Sequence, residues 1–150
     1  MKTSIEIIQT ALKQSQRQAI AFSGGSDSMV ILDIIYKRTP ARPPVIFTDS
    51  GMEHPATLPF IKKVCRQYNA TLHITRPKRT PLEQWQKSGW PMLGKLAARL
   101  YMQNHKTQGF KIDVSSCCRN MKIAPARRLM KDLGIDLHFT GQRRAPDDAP

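Results

Sequence analysis

A Gly-rich segment of small polar residues stands between two apolar runs in the first third of the chain. Its residues are Ser23, Gly24, Gly25, Ser26, Asp27 and Ser28. The apolar run before it predicts a short buried strand, and the run after it predicts a helix packed against a sheet. Backbone N–H groups of such a loop bind anions, the two glycines permit positive φ and close approach, and the serine hydroxyls add donors. The segment predicts a phosphate-binding loop in which Asp27 caps the helix or orients the loop. An ordinary strand-to-helix turn is the alternative.

A second candidate loop follows the next apolar run, Val45-Ile46-Phe47-Thr48, which predicts another strand. Ligands of open α/β sheets bind at the carboxyl ends of strands. Asp49 can accept hydrogen bonds there from a ribose or an adenine, and Gly51 permits a tight turn. We expect this loop to lie beside the first one. A plain helix-capping loop is the alternative.

Two adjacent cysteines, Cys117 and Cys118, precede a basic helical segment that includes Lys122. Neighbouring cations stabilise thiolates, and adjacent thiolates can provide two ligands to an iron–sulfur cluster. The alternative is that both thiols only fill space in a core. The remaining cysteine, Cys65, lies within a predicted amphipathic helix and is expected to pack.

A fourth candidate, Gly141, Arg143 and Arg144, lies at the end of the last predicted strand. Two guanidinium groups in this position can clamp phosphate or sulfate oxygens through bidentate pairs. A basic terminal loop without a ligand is the alternative.

The elements that position these residues alternate between strand and helix. Strands are predicted at 18–22, 45–48, 71–75 and 137–140. Helices are predicted at 4–16, directly after the Gly-rich segment, at 54–68, at 82–106 with a break at 89–91, and at 123–133. Alternation at the spacing of βαβ units predicts an α/β fold of three layers, with a mostly parallel sheet of about four or five strands between helices.

Composition places the chain among proteins with a single packed core. It has 150 residues, 40% hydrophobic residues and a formal charge of +13. No Asp or Glu occurs between 54 and 82, where six cations fall, so a nucleotide, an acidic protein or nucleic acid is a candidate partner, and a solvated basic surface is the alternative. No apolar block predicts a signal peptide or a membrane span, and three cysteines do not form a secreted disulfide framework, so we expect a soluble cytoplasmic protein with no membrane partner.

Together, four motifs resemble one protein family. SGGSDS resembles the PP-loop of the adenine nucleotide α-hydrolase-like superfamily, a Rossmann-like fold. The stretch DSGMEHPAT resembles the D-T-G-x-x-x-P-E-T motif of the phosphoadenylylsulfate and adenylylsulfate (PAPS/APS) reductases, with departures at Ser50 and Ala56. CCRNMKIAP resembles the C-C-x-x-x-K-x-x-P segment of the adenylylsulfate reductases, and TGQRR resembles the family's T-G-x-R-R motif. The motifs occur in the family's order.

This resemblance implies an oxidoreductase of sulfate assimilation that reduces adenylylsulfate or phosphoadenylylsulfate to sulfite, with thioredoxin or glutaredoxin as reductant. Cys117 and Cys118 would then provide half of the ligands of a [4Fe–4S] cluster, and Lys122 would lie between the cluster and the substrate's sulfate or phosphate. The family's later C-x-x-C pair and its nucleophilic cysteine have no counterpart in these 150 residues. We therefore expect a single PP-loop domain that lacks a C-terminal segment of the family and does not complete the reaction alone.

The sequence is also compatible with two other functions. The full SGGSDS form is associated with superfamily members that cleave ATP, so one alternative is an ATP pyrophosphatase that uses Mg²⁺ and adenylylates or thiolates nucleic acid, as in tRNA thiolation or DNA phosphorothioation. The strong positive charge favours a nucleic-acid substrate for such an enzyme. The other alternative is a non-catalytic nucleotide-binding module.

Overall fold

A computed structural model of the chain describes residues 3–91, 103, 112–113 and 116–142. Its helices are α1 (Ser4–Gln14), α2 (Ser26–Arg38), α3 (Thr57–Gln67), α4 (Pro81–Ser88), α5 (Ser116–Cys118) and α6 (Ala124–Asp132), and a π-helical segment, Arg119–Ile123, joins the last two. Its strands are β1 (Gln18–Ala21), β2 (Val45–Thr48), β3 (Leu72–Thr75), β4 (Trp90–Pro91), β5 (Ile112–Asp113) and β6 (Leu137–Phe139).

Four of these strands form one sheet in the order β3-β2-β1-β6. β1 pairs in parallel with β2, where Ile20 is opposite Val45, and in parallel with β6, where Gln18 is opposite Leu137. The chain thus builds the sheet from β1 toward one edge and later returns to the other side of β1. This reversal makes the carboxyl end of β1 a topological switch point, where open α/β sheets bind ligands. The predicted α/β fold with a parallel sheet is confirmed.

Contacts between Cα atoms divide the chain into two compact units. Unit 1 comprises Met1–Phe47, His54–Ile74 and Leu129–Pro150, and unit 2 comprises Thr48–Glu53 and Thr75–Arg128. Unit 1 contains a hydrophobic core in which Ile20, Leu32 and Val45 are fully buried. Because β1 and β2 are apolar at successive positions, both faces of these strands are covered, as is typical of parallel sheets.

Local signals account for several element boundaries. Thr3 and Glu6 form the predicted capping box at the start of α1, since each side chain bonds to the other's backbone N–H. Thr80 and Glu83 form the same arrangement at the start of α4. The break predicted at 89–91 is the end of α4, followed by β4, which pairs in parallel with β5.

Other boundaries differ from the sequence prediction. α3 begins at Thr57 rather than 54, because the preceding residues form a turn in which Thr57 donates its N–H to the carbonyl of His54. The helix predicted at 123–133 is preceded by helical structure from Ser116, through α5 and the π-helical segment. Part of the predicted helix at 82–106 lies outside the described residues. None of the described helices is long and apolar enough to cross a membrane.

Candidate functional site

The Gly-rich segment of unit 1 leaves β1 and enters α2 at the switch point of the sheet. Gly25 is the N-cap of α2, and no side chain caps this helix. The first intrahelical bond joins the N–H of Met29 to the carbonyl of Gly25, so the first turn directs N–H groups and the positive end of the helix dipole out of the helix. This arrangement favours an anion at the start of α2.

Of the two roles expected for Asp27, capping the helix is wrong, and orienting the loop stays a prediction. α2 begins at Ser26, so Asp27 lies inside the first turn, where its carboxylate is favourably placed relative to the helix dipole. The hydroxyl of Ser26 is 3.5 Å from Oδ1 of Asp27. The N-cap residue is Gly25, and the sequence pattern does not identify it because glycine has no side-chain acceptor.

Two predicted serines hold the shape of this loop. The Ser28 hydroxyl donates to the carbonyl oxygen of Gly25 at 2.9 Å and is 3.2 Å from the hydroxyl of Ser23. The Ser23 oxygen in turn accepts the N–H of Gly25 at 3.3 Å. Ser28 is only 5% exposed. In this structure the two hydroxyls therefore bond within the loop and fix the direction of its backbone amides.

The glycines of the site have different physical roles. Gly24 adopts φ +79°, a conformation that other residues rarely take, whereas Gly25 adopts an ordinary extended conformation. Gly141 is required for close approach, because a Cβ there would lie 2.7 Å from the carbonyl carbon of Asp27 and 2.8 Å from the nitrogen of Ser28. The backbone after β6 thus packs directly on the first turn of α2.

This packing brings two sequence-predicted loops together within unit 1. Residues of the Gly-rich segment and residues 140–142 line a common cavity of about 330 Å³. Gly141 and Gln142 belong to this cavity, as do Ser23, Gly25 and Ser28. The predicted anion clamp, Arg143 and Arg144, lies outside the described residues.

In unit 2, the second predicted loop begins at Asp49. Its carboxylate accepts hydrogen bonds from the Arg76 side chain, at 2.9 Å from Nε and 2.8 Å from the terminal nitrogen, and from the N–H of Gly51 at 3.2 Å. The Asp49 side chain is 18% exposed and that of Arg76 is 67% exposed. Asp49 and Gly51 line a cavity of about 250 Å³ together with Arg76. An acceptor for a ribose or an adenine is thus present, but its charge is already paired with Arg76.

Glu53 organises the same loop, and sequence reasoning missed it. Its carboxylate accepts the N–H and the hydroxyl of Ser50 at 3.0 and 2.8 Å, and the N–H of Met52 at 3.3 Å. Burial opposes ionisation of this carboxyl, but the hydrogen bond from Ser50, the backbone amides and the charge of Lys122 outweigh it and lower the pKa of Glu53. The spacing Ser50-x-x-Glu53, which resembles a capping box, was the available signal.

Lys122 lies in the π-helical segment and is tied to the same loop. Its Nζ is 3.6 Å from Oε1 of Glu53, and its side chain is 58% exposed. Single π-helical turns occur frequently at functional sites. The ion pair therefore connects the segment after the adjacent cysteines to the loop that follows β2.

The adjacent cysteines differ in environment: Cys117 is buried and Cys118 is exposed. A [4Fe–4S] cluster takes four thiolates, and the sequence has three cysteines. The third, Cys65, is 2% exposed in the core of unit 1, where burial raises the pKa of its thiol, so it packs as predicted. Among the described residues no group of three or more metal-binding side chains occurs. The donor set of these residues does not fit a complete cluster.

This parallel α/β sheet has a Gly-rich loop at its switch point, the place where open α/β sheets bind ligands. The family model of the phosphoadenosine phosphosulfate reductase domain matches residues 17–149. The chain belongs to this family. It is the family that the four sequence motifs resemble.

The sequence identity to individual relatives is low. A phosphoadenosine 5′-phosphosulfate reductase of Vibrio vulnificus is 29% identical over 126 residues, covering 84% of this chain and 43% of the relative. The chloroplastic 5′-adenylylsulfate reductase 1 of Arabidopsis thaliana is 30% identical over 148 residues, covering 97% of this chain and 27% of the relative. The chain thus spans less than half the length of these curated relatives.

A solved structure agrees with the fold. The crystal structure of phosphoadenylyl-sulfate reductase from Candida auris, a phosphate complex, superposes with a TM-score of 0.64 at 26% identity. The match covers 96% of this chain and 63% of that one.

Proposed function

We propose that this chain binds an adenine sulfonucleotide, adenylylsulfate or phosphoadenylylsulfate, with a phosphate at the Gly-rich loop of unit 1. The observation that carries this proposal is the N-terminus of α2, which has no side-chain cap and faces a cavity shared with residues 140–142. Backbone amides in this arrangement provide fixed donors for phosphate oxygens. The relatives named for these two sulfonucleotides, and the phosphate complex of the Candida auris enzyme, support the choice of ligand.

Several of the predicted site residues have distinct roles in this proposal. Ser23 and Ser28 hold the loop so that its amides face the phosphate, and Gly141 permits residues 140–142 to close on the same site. Arg143 and Arg144 bind sulfate or phosphate oxygens, which is their expected role from the resemblance. In unit 2, Asp49 is paired with Arg76 and Lys122 with Glu53, and the roles that the sequence predicted for Asp49 and Lys122 stay predictions.

For an intact relative of this chain, we propose the reaction that the resemblance implies. A cysteine thiolate attacks the sulfur of the sulfonucleotide, the bond from sulfur to the phosphate oxygen breaks, and the nucleotide leaves as AMP or its 3′-phosphate. Thioredoxin or glutaredoxin supplies the two electrons that release sulfite from the resulting S-sulfocysteine. None of the described residues is assigned as this nucleophile, because Cys65 is buried with a raised pKa and the other two thiols belong to the segment that resembles the cluster-binding motif.

Calorimetric titration of the full chain with adenylylsulfate, phosphoadenylylsulfate and ATP with Mg²⁺ tests the proposal. We expect both sulfonucleotides to bind more tightly than ATP. Ser28→Ala removes the hydroxyl that bonds to Gly25 and Ser23, and should weaken sulfonucleotide binding about tenfold, or about 1.4 kcal/mol.

Thr39→Ala is the matched control. The Thr39 hydroxyl also bonds to a backbone carbonyl and accepts a backbone N–H, but it lies at the opposite end of α2. This variant should bind as the wild type does. Equal losses in the two variants, or no sulfonucleotide binding at all, would refute the assignment of the Gly-rich loop.

The complete SGGSDS sequence supports a second candidate, ATP pyrophosphatase activity directed at nucleic acid. Its loop is intact, with Ser23 and Ser28 bonded to each other, and the chain carries a charge of +13. This candidate predicts release of pyrophosphate from ATP in the presence of Mg²⁺, together with nucleic-acid binding that weakens steeply with salt. If nucleotides bind but neither sulfite nor pyrophosphate is released, the chain is a non-catalytic nucleotide-binding module.

A further inference from the structure

A cavity of about 220 Å³ lies within unit 2, between the loop 76–80 and the helical residues 120–128, and it shares Pro77, Lys78 and Arg79 with the cavity lined by Asp49. Three cationic side chains line it: Lys78, Arg79 and Arg128. No Asp or Glu is among its lining residues. Gln84, which is 1% exposed, and Asn120 add side-chain amides to the wall.

The carboxylates of unit 2 whose side chains are described form their hydrogen bonds with residues that do not line this cavity. Asp49 pairs with Arg76, Glu53 accepts hydrogen bonds from Ser50 and lies near Lys122, and Glu83 closes the capping box at the start of α4. Within this described part of the chain, neither Lys78 nor Arg128 lies within 4 Å of a carboxylate, and the same holds for Arg79. The charge of Arg79 acts on Glu83, so among the described residues Lys78 and Arg128 are the cations of this cavity without a carboxylate partner, and they concentrate positive potential in a concave surface.

Several contacts hold the two walls of this cavity in place. Arg128 donates from a terminal nitrogen to the backbone carbonyl of Arg76 at 3.2 Å, and Arg76 is itself bound to Asp49. The Thr75 hydroxyl donates to the carbonyl of Pro125 at 3.3 Å, which joins the end of β3 to α6. Pro77 and Pro81 restrict the loop further. A guanidinium anchored in this way loses little freedom when it binds an anion.

We propose that this cavity is a second anion site, which binds a phosphate group independently of the Gly-rich loop of unit 1. Arg128 and Arg79 provide planar guanidinium donors suited to bidentate contact with phosphate oxygens, and Lys78 adds a point charge. The group is either inorganic phosphate or a phosphate ester of a nucleotide, since both present the same oxygens. The site stands on the contacts of unit 2 and does not depend on the function proposed for unit 1.

Titration of the full chain with inorganic phosphate, at constant ionic strength, tests this site. Arg128→Gln should weaken one class of phosphate sites about tenfold. Arg127→Gln is the matched control, because it removes the same charge from the adjacent, exposed position that does not line the cavity. It should change the affinity less than about twofold. Equal effects of the two variants, or no phosphate site sensitive to Arg128, would overturn the proposal.

A second variant separates loss of binding from loss of structure. Lys78→Gln leaves the contact between Arg128 and Arg76 intact, and should also weaken phosphate binding while the thermal transition stays unchanged. Ser28→Ala should affect only the phosphate class bound at unit 1. If Ser28→Ala abolishes all phosphate binding and Lys78→Gln changes none of it, the site in unit 2 does not exist. If Lys78→Gln abolishes all phosphate binding and Ser28→Ala changes none of it, only the site in unit 1 is refuted.

Comparison of AMP with adenosine 3′,5′-bisphosphate identifies the source of the phosphate. A loss of bisphosphate affinity in Arg128→Gln, with AMP unaffected, assigns the site to the second phosphate of a nucleotide. A loss for inorganic phosphate alone assigns it to the free anion. Equal losses for AMP, the bisphosphate and inorganic phosphate mean that the site takes any phosphate group, whereas no loss for any of the three would overturn the proposal.

Discussion

Replacement of Gly141 by alanine perturbs the candidate site at its tightest contact. The new Cβ would lie 2.7 Å from the carbonyl carbon of Asp27, 2.8 Å from the nitrogen of Ser28 and 3.0 Å from the carbonyl oxygen of Asp27. These are backbone atoms in the first turn of α2, so they cannot move aside as a flexible side chain would. Either the strand end or the helix start must shift. We expect a loss of stability of about 1–3 kcal/mol, the usual cost of overpacking.

The same shift should weaken nucleotide binding, because the cavity lies between the two segments that are forced apart. Thermal denaturation of the full chain should give a Tm lower by about 3–10 °C. Titration with adenylylsulfate should give an affinity lower by about tenfold or more, since a displacement of an ångström at fixed donors removes most of a hydrogen bond.

Gly25→Ala is the control within the same cavity. A Cβ at Gly25 would meet only the Ser23 hydroxyl, at 3.4 Å, and the backbone there has an extended conformation that alanine adopts readily. Gly25→Ala should therefore lower the Tm clearly less than Gly141→Ala does. If the Gly141 variant unfolds at the same temperature as the wild type and as this control, the close packing of residue 141 on α2 is refuted.

Two further predictions concern unit 2 and the thiols. The folded-state pKa of Glu53 is depressed below 4.5, so its ionised form stabilises the fold above that pH and this contribution is lost as the pH falls through the folded-state pKa. Glu53→Gln should thus be less stable than the wild type at pH 7, and the difference should shrink below pH 4.5; an unchanged difference in acid would contradict the role of the charge. For the cysteines, alkylation of the native protein followed by peptide mapping should label the exposed Cys118 first and the buried Cys65 only on unfolding. Fast labelling of Cys65 would show that it lies outside the core. The Cys118→Ala variant is the control, because it should lack the rapid labelling phase.

Much of the fold follows from local patterns in the sequence. The apolar runs before and after the Gly-rich segment are β1 and α2, and the run at 45–48 is β2 with the bounds predicted for it. The capping box at Thr3 and Glu6 marks the start of α1. These features depend on residues within a few positions of each other, so periodicity and composition suffice to find them.

Unit 2 was less predictable. The short strands β4 and β5 contain two residues each, too few for any periodic signal. The π-helical segment between α5 and α6 has no distinct sequence pattern, and the helical prediction began there only at 123. Such elements depend on contacts with distant parts of the chain.

By itself, the sequence determined the class of fold, the loops that follow three of the strands, and the motif order that identifies the family. These depend on local hydrophobic periodicity and on residue types suited to binding anions or metals, such as glycines in a loop and adjacent cysteines. Tertiary structure alone decided which side chains meet. It paired Asp49 with Arg76 and Lys122 with Glu53, packed Gly141 against α2, and placed Arg128 in one cavity with Lys78 and Arg79. The physical reason is that these contacts join residues from 27 to more than 100 positions apart, and only the folded backbone sets the distances between them.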